Sequence, residues 1–519
     1  MDAFLNVKLA LSATCVALLF YVRQQKLAKK IKVLAVPSYT STRSKQAKSF
    51  EEAVLLGLAN DGGLFCPSFV PTVPKEKLQT WSNLTYPQLA TEIFKLYIPS
   101  DLMSESKLGQ LVSKTYGPKF RSREITPTVR LEKNSLELLE LFHGPTFAFK
   151  DIALQYLGNL FEYLLSRKTG DDAKITVLGA TSGDTGSSAI YGLAGKQGIQ
   201  CFILFPEGRV SPIQEKQMTT VLDDNVHCVA IKGSFDDAQD IVKASFKNEP
   251  FRSKHRLAAV NSINWARILA QITYYFYSFF QVQKKTKKSQ ISFVVPTGNF
   301  GDILAGYYAK RMGLPIYKLI VATNQNDILD RFFKSGTYER HEVQPTIAPS
   351  MDICVSSNFE RFIYHMLNDD ATETSRLMKM FETDKRFVLS KEAFERCTKE
   401  MDSGMVNEDQ IRNTIKEVLE KDDYLLDPHT AIGVAVGKEF AKRPEYANSE
   451  IVCVATAHWG KFADAVEGAI GAEKLREWLE HRYPSELQRL NSLPTRKVVL
   501  EAKAEEVQIF MDNELAQSN

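Results

Sequence analysis

The chain has 519 residues, 44% hydrophobic and 24% charged, ordinary proportions for a globular protein and enough for two or more domains around a large core. Its 65 Lys and Arg nearly balance its 62 Asp and Glu, for a net charge of +3, which excludes a charge-driven partner such as nucleic acid or another polyanion. The seven cysteines are scattered, odd in number and without CxxC or metal-ligand spacing, so they read as small apolar groups in a reduced compartment, with no metal site.

Residues 9–22, LALSATCVALLFYV, form an uncharged apolar run followed by Arg23, Lys26, Lys29, Lys30 and Lys32. The run is shorter than the about 20 residues that a bilayer span needs. Counting back to Ala3 supplies that length but takes in Asn6 and Lys8. No small-residue cleavage site follows and Arg is scarce, which fits neither a cleaved signal nor a mitochondrial presequence. Residues 1–33 therefore keep three readings: a membrane anchor through residues 3–22, an unstructured leader, or a misassigned start. An inserted segment with these flanking cations would hold the rest of the chain in the cytoplasm.

After Pro37, a polar stretch leads into a helical pattern, EEAVLLGLANDGGLF, in which Asp61-Gly62-Gly63 signals a turn. Residues 70–130 alternate helical patterns with loops. From about residue 135 the chain repeats strand, Gly-rich turn and helix, with strand-like runs at 136–142, 175–180, 201–205, 226–231, 291–297, 318–323 and 451–456. Continuous apolar strands between helices predict parallel sheets covered on both faces. The clearest helix is 264–281, with Trp265, Ile268, Leu269, Ile272, Phe276 and Phe279 on one stripe. Residues 366–422 read as a charged, helical, peripheral insertion, and residues 483–519 as a charged helical tail.

Three stretches carry chemistry. In HGPTFAFKDIALQ (143–155), Lys150 ends an uncharged, aromatic-rich approach at the start of a helix, where burial favours loss of its proton or covalent engagement. Two strands run into Gly-rich turns that open helices, ITVLGATSGDTGSSAIYGLAG (175–195) and ISFVVPTGNFGDILAGYYAKRMG (291–313). Neither has the spacing of a P-loop or a dinucleotide loop. Each places small residues where backbone N–H groups at a helix start face an anion, so two nests suggest a cofactor phosphate and a substrate carboxylate or phosphate. A third strand ends in ATAHWGKF (455–462), setting Thr456 and His458 beyond its carboxyl end, where ligands sit in open α/β sheets. A lysine, a phosphate cradle and a strand-end hydroxyl together suit pyridoxal 5'-phosphate.

At these motifs the chain resembles the threonine synthases, specifically the long fungal type, within the fold type II (tryptophan synthase β-like) pyridoxal-phosphate enzymes. The resemblance also runs through STRSKQAKSFEEAVLLGLANDGGLF, SPIQEKQMTTV, NSINWARILAQITYYFYSFFQ, NQNDILDRF, SSNFERF and DPHTAIGV, over roughly residues 38–465. It implies an α/β fold of two parallel-sheet domains with an N-terminal threonine synthase subdomain. The expected parts are the subdomain at 34–130 and a catalytic region at 131–482 whose smaller domain covers about 160–285.

The resemblance also assigns roles. Lys150 would carry the cofactor as a Schiff base. Gly298, Asn299, Phe300, Gly301 and Asp302 would hold its phosphate, and Thr456 would face its pyridine nitrogen. Ser182, Gly183, Asp184 and Thr185 would meet the substrate carboxylate and the ring hydroxyl. The implied reaction converts O-phospho-L-homoserine and water to L-threonine and phosphate. Arg267 and Lys461 are candidates for the leaving phosphate. The departure from the family's usual STAHPAKF is at Ala455, Trp459 and Gly460, which leaves the pocket rim open to change. Two rivals remain in view: a phospho-lyase giving a 2-oxo acid, and a non-catalytic relative. Monomer and dimer are both compatible with the sequence.

Overall fold

A computed structural model describes residues 36–517. The apolar run at 3–22 lies outside the described residues, and among the described residues no helix is long and apolar enough to cross a membrane.

The N-terminal part holds a small antiparallel sheet in which β1 (Tyr39–Ser41) pairs with both β2 (Ala47–Lys48) and β3 (Phe65–Pro67). Between them, helix Phe50–Leu56 starts with a reciprocal capping box, Ser49 and Glu52 each accepting from the other's backbone N–H. It ends at Gly57 with φ +69°, a left-handed position that favours glycine. Aromatic side chains from the helices that follow lock this part onto helix Trp265–Thr286, with Trp81 edge-on to Phe276 and Tyr86 edge-on to Tyr277.

The remaining strands are β4 (Thr128–Leu131), β5 (Leu136–Glu140), β6 (Ile175–Ala180), β7 (Ile199–Pro206), β8 (Val226–Lys232), β9 (Leu257–Ala258), β10 (Gln290–Pro296), β11 (Ile316–Thr323), β12 (Thr337–Glu339), β13 (Arg386–Val388), β14 (Met401–Met405), β15 (Ser449–Ala455) and β16 (Val498–Glu501). They build a six-stranded sheet in the order β14-β11-β10-β15-β5-β4, a five-stranded one in the order β16-β8-β7-β6-β9, and a separate antiparallel pair, β12 with β13. The smaller sheet is parallel throughout, and the larger is parallel except where β4 runs against β5. Every one of the seven strand-like runs is a strand.

Three features differ from the sequence pattern. Helix Trp265–Thr286 is not buried along one stripe: each of the twelve residues from Trp265 to Phe276 is buried, including Arg267, Gln271 and Thr273, because the N-terminal part and the catalytic region close around it. The segment read as a peripheral helical insertion does supply charged helices, but its MDSGM is β14, which forms the edge of the large sheet beside β11. A polar edge strand has no apolar run to announce it. The segment read as a helical tail contributes β16, paired in parallel with β8, and a helix, Ala504–Gln517, that buries Val507 and Met511 in the core of the smaller sheet.

Candidate active site

The site forms where the carboxyl ends of β6, β10 and β15 meet. Lys150 is the first residue of helix Lys150–Leu165, and the loop before it is laced to the end of β15. The Phe149 N–H donates to the Thr456 carbonyl at 2.8 Å, and the His458 N–H donates to the Phe147 carbonyl at 3.1 Å. Phe147 turns the chain with φ +59°, a strained position for an aromatic residue that this lacing holds in place. The Asp151 carboxylate braces the loop from inside, accepting from the Thr146 backbone N–H and hydroxyl at 2.7 Å each. Two motifs some 300 residues apart in sequence are thereby fixed against each other.

Lys150 Nζ lies 3.6 Å from Asp184 Oδ2, and its side chain is mostly buried, 13% exposed. Burial holds its pKa below that of an ordinary lysine; Asp184 opposes this, and Lys461 and Arg267 add to it. Asp184 opens helix Asp184–Leu193 behind Gly183, whose φ of +137° favours glycine and where an added Cβ would lie 2.4 Å from the Gln214 side chain. Burial works against the Asp184 charge, yet Lys461 and then Lys150 hold the carboxyl well below the usual range. Within the same turn, Thr181 Oγ1 accepts from the Gly183 and Gly186 N–H groups at 2.9 and 2.8 Å. Part of this nest is therefore filled by the chain itself, and the Asp184 carboxylate is engaged by Lys461 and Gln214.

The second nest follows β10. Phe300 is left-handed with φ +63° and helix Gly301–Arg311 starts behind it, so the N–H groups of the turn have no intrahelical partners. A segment at 356–358 braces the turn: Ser356 Oγ donates to the Gly298 carbonyl at 2.5 Å, and the Asn358 N–H and side chain donate to the Asn299 carbonyl at 3.1 and 3.2 Å. A Cβ at Gly298 would come within 2.9 Å of Ile353 Cδ1 and 3.1 Å of the Ser350 carbonyl. Asp302 turns its carboxylate away from the nest, with Oδ1 accepting from the hydroxyls of Tyr274 and Tyr275 at 2.6 and 2.7 Å. Burial pushes its pKa up to about 6.

Thr456 is buried, and its backbone N–H donates to Thr430 Oγ1 at 3.1 Å, but its own hydroxyl has no protein partner. An orphaned buried hydroxyl costs about 1–3 kcal/mol unless something meets it, and a pyridine nitrogen is a fitting acceptor. Arg267 is in a similar condition: Nη1 donates to the Val260 carbonyl at 2.9 Å, Nε has no partner, and burial lowers its pKa to about 10. A guanidinium buried without a carboxylate is suited to an incoming anion. Lys461, expected beside the leaving phosphate, has its ammonium committed, at 2.6 Å from Asp184 Oδ1 and donating to the Thr146 carbonyl at 2.8 Å. His458 caps its own turn by accepting from the Gly460 N–H.

The Trp459-Gly460 departure packs against Trp478 and Tyr483. A Cβ at Gly460 would stand 2.7 Å from the Tyr483 ring, so the glycine makes room for that tyrosine. Trp459 packs edge-on to Trp478 and lines a cavity of about 250 Å³ with Glu140 and Arg482, into which neither Lys150 nor Thr456 opens. The sequence reading gave no role to Gln214, Thr146, Asn358 or Arg361. Arg361 is fully buried, donating to the Phe65 and Ile263 carbonyls and to Asn358 Oδ1, and so ties the phosphate turn's brace to the N-terminal part. SSNFERF was the available signal for Asn358 and Arg361, since it sets polar and charged residues among aromatic ones.

An enclosed lysine at a helix start, a braced N–H nest, an orphaned strand-end hydroxyl and two parallel sheets define a pyridoxal-phosphate-dependent enzyme of fold type II, and residues 121–388 match the pyridoxal-phosphate dependent enzyme family. The flanking regions narrow the class, with residues 38–116 matching the threonine synthase N terminus and residues 430–511 the threonine synthase C-terminal family. Threonine synthase from Schizosaccharomyces pombe is 50% identical over 84% of this chain and 90% of its own. The crystal structure of threonine synthase from yeast superposes with a TM-score of 0.88 at 46% identity, covering 93% of this chain and 99% of that one. The pyridoxal-phosphate-bound threonine synthase from Brucella melitensis gives 0.85 at 40% identity, over 92% and 99%. The chain belongs to the threonine synthase family.

Proposed function

We propose that this chain converts O-phospho-L-homoserine and water to L-threonine and phosphate, with Lys150 as both cofactor tether and proton carrier. The observation that carries this is Lys150 itself: an enclosed amine with its proton disfavoured, laced to the strand end whose Thr456 hydroxyl lacks a partner. The phosphate cradle is Gly298, Asn299, Phe300 and Gly301 through backbone N–H groups. Asp302 supports it from behind by anchoring the turn to Tyr274 and Tyr275. Thr456 would meet the pyridine nitrogen; a neutral hydroxyl there cannot hold a proton on that nitrogen as a carboxylate would.

When bound, the cofactor supplies an electron sink for charge that develops at the substrate's Cα and Cβ. Lys150, released from the tether, takes the proton from Cα and then one from Cβ as the γ-phosphate leaves, and returns one to Cγ; water then adds its hydroxyl at Cβ, a proton goes back to Cα, and the remaining proton leaves with the phosphate. Ser182, Gly183, Asp184 and Thr185 form the turn toward the substrate carboxylate. Arg267 is the fitting cation for the phosphate dianion, since Lys461 is already held by Asp184.

The phospho-lyase reading is less well supported, because the GNFGD turn keeps its form and its brace. The test is reductive trapping of the purified protein with borohydride, followed by peptide mass spectrometry. A pyridoxyl adduct on Lys150 supports the assignment, and an adduct on any other lysine sinks it. Lys150→Ala should keep the fold and lose turnover by several orders of magnitude.

A further inference from the structure

Two lysines compete for one carboxylate at this site. Lys461 Nζ sits 2.6 Å from Asp184 Oδ1, which also accepts from Gln214 Nε2 at 2.9 Å, whereas Lys150 Nζ stands 3.6 Å from Oδ2. The shorter contact is a charge-assisted hydrogen bond and the longer one exceeds hydrogen-bond range. The Lys461 side chain is 0% exposed and that of Asp184 5%, so water does not screen the pair. Lys461 is fixed by its second bond, to the Thr146 carbonyl, which Gln217 Nε2 also reaches at 3.0 Å. The charged groups facing Lys150 are Asp184 from the turn after β6, Lys461 from the turn after β15 and Arg267 from helix Trp265–Thr286, with His429 acting on Asp184 from farther off. Around Lys150 this sets the Asp184 anion against two cations, and the buried Asp151 carboxyl, bonded to Thr146, also acts on Lys461.

We propose that Lys461 is a positioning residue for the base: by saturating Asp184 and adding a like charge, it favours the free-amine form of Lys150. An ammonium at Lys150 could neither add to a carbonyl nor accept the Cα proton, so Lys461 would act on both steps without touching the reacting atoms. The pair also spans the two sheets, Asp184 riding on the smaller and Lys461 on the larger. Movement between them would therefore change how strongly Asp184 draws on Lys150. The proposal rests on Lys150 as tether and base.

The test is the pH dependence of Lys150 itself in full-length, cofactor-free protein. Cyanate labels only the neutral amine, and the carbamylated 150 peptide is quantified by mass spectrometry across a pH series. Lys461→Met should move the labelling midpoint to higher pH by about one unit, so that labelling well below the midpoint slows about tenfold. Lys461→Arg, which keeps the charge, should leave the midpoint near that of the parent chain. Asp184→Asn should move it to lower pH. A purely structural bridge would lower thermal stability in Lys461→Met without moving the midpoint, and that result overturns the proposal. If Lys461→Met does not fold, Lys461→Gln takes its place, and an unmoved midpoint there overturns it equally. A borohydride adduct on another lysine would remove the tether reading, whereas an unmoved midpoint with the adduct still on Lys150 removes only this one.

Discussion

Gly158→Ala perturbs the site from a distance. Helix Lys150–Leu165 crosses helix Asp184–Leu193 where Gly158 meets Gly192: a Cβ on Gly158 would lie 2.0 Å from the Gly192 carbonyl oxygen, and one on Gly192 would lie 2.5 Å from that of Leu154. Both neighbours are backbone and cannot swing aside. Restoring an ordinary contact requires the helices to part by roughly 1 Å, and overpacking of this kind costs about 1–3 kcal/mol. Lys150 and Asp184 each open one of these helices, about 12 Å from the crossing at 1.5 Å per residue. Spreading the helices moves one residue relative to the other, and a misplacement of roughly 1 Å costs on the order of 100-fold in rate. Steady-state phosphate release and thermal unfolding read the two effects. Gly158→Ala should lose both stability and turnover while borohydride still labels Lys150. Gly109→Ala, on helix Glu105–Thr115 with nothing within 4 Å of its Cβ, should be silent or slightly stabilising. Parent-like stability and turnover in Gly158→Ala would refute the crossing as the element that sets the Lys150–Asp184 distance.

Gly298→Ala should weaken cofactor binding about tenfold by equilibrium dialysis, because its Cβ meets Ile353 and the Ser350 carbonyl and shifts the phosphate turn; unchanged affinity would put the cradle elsewhere. His458 carries a pH prediction. Burial, with Arg121 adding, lowers its pKa to about 3, so on acidification the unfolded chain takes up a proton that the folded chain refuses. Stability should therefore fall as pH drops from about 6.5 toward 3, by at most about 1.4 kcal/mol per pH unit from this group. Urea unfolding should show a flatter acid limb in His458→Gln, and superimposable limbs would remove the assignment. A chain starting at Val36 should fold, bind pyridoxal phosphate and turn over like the full chain, since every site residue lies C-terminal to that point. A folded but inactive truncated protein would show that the preceding residues belong to the enzyme. If residues 3–22 form an anchor, full-length protein should resist carbonate extraction from membranes.

The strands of both sheets were legible because strands buried on both faces must be continuously apolar, as ITVLGA and IVCVAT are. β14 was not, since MDSGM lies on a sheet edge and carries polar residues. β16 was not, since VVLE sits in a charged stretch and is recognised only by its pairing with β8. Within the site, Lys150 and the GNFGD turn stood out because a dry lysine and an uncapped helix start are local features. Asp184–Lys461 could not be read this way, because nothing in sequence places residues 184 and 461 within 2.6 Å. The two cations chosen for the leaving phosphate looked equivalent as letters. Burial without a carboxylate distinguishes Arg267, and its salt bridge distinguishes Lys461. Helix Trp265–Thr286 shows the converse limit, as its apolar stripe concealed burial of the polar residues Arg267, Gln271 and Thr273.

The most direct test of the account is product analysis with O-phospho-L-homoserine as the sole substrate. Phosphate, threonine and 2-oxobutyrate are measured in the same reaction. Threonine equal to the phosphate released, lost in Lys150→Ala, is the predicted result. Phosphate accompanied by 2-oxobutyrate in place of threonine, or threonine formation that persists in Lys150→Ala, would contradict it.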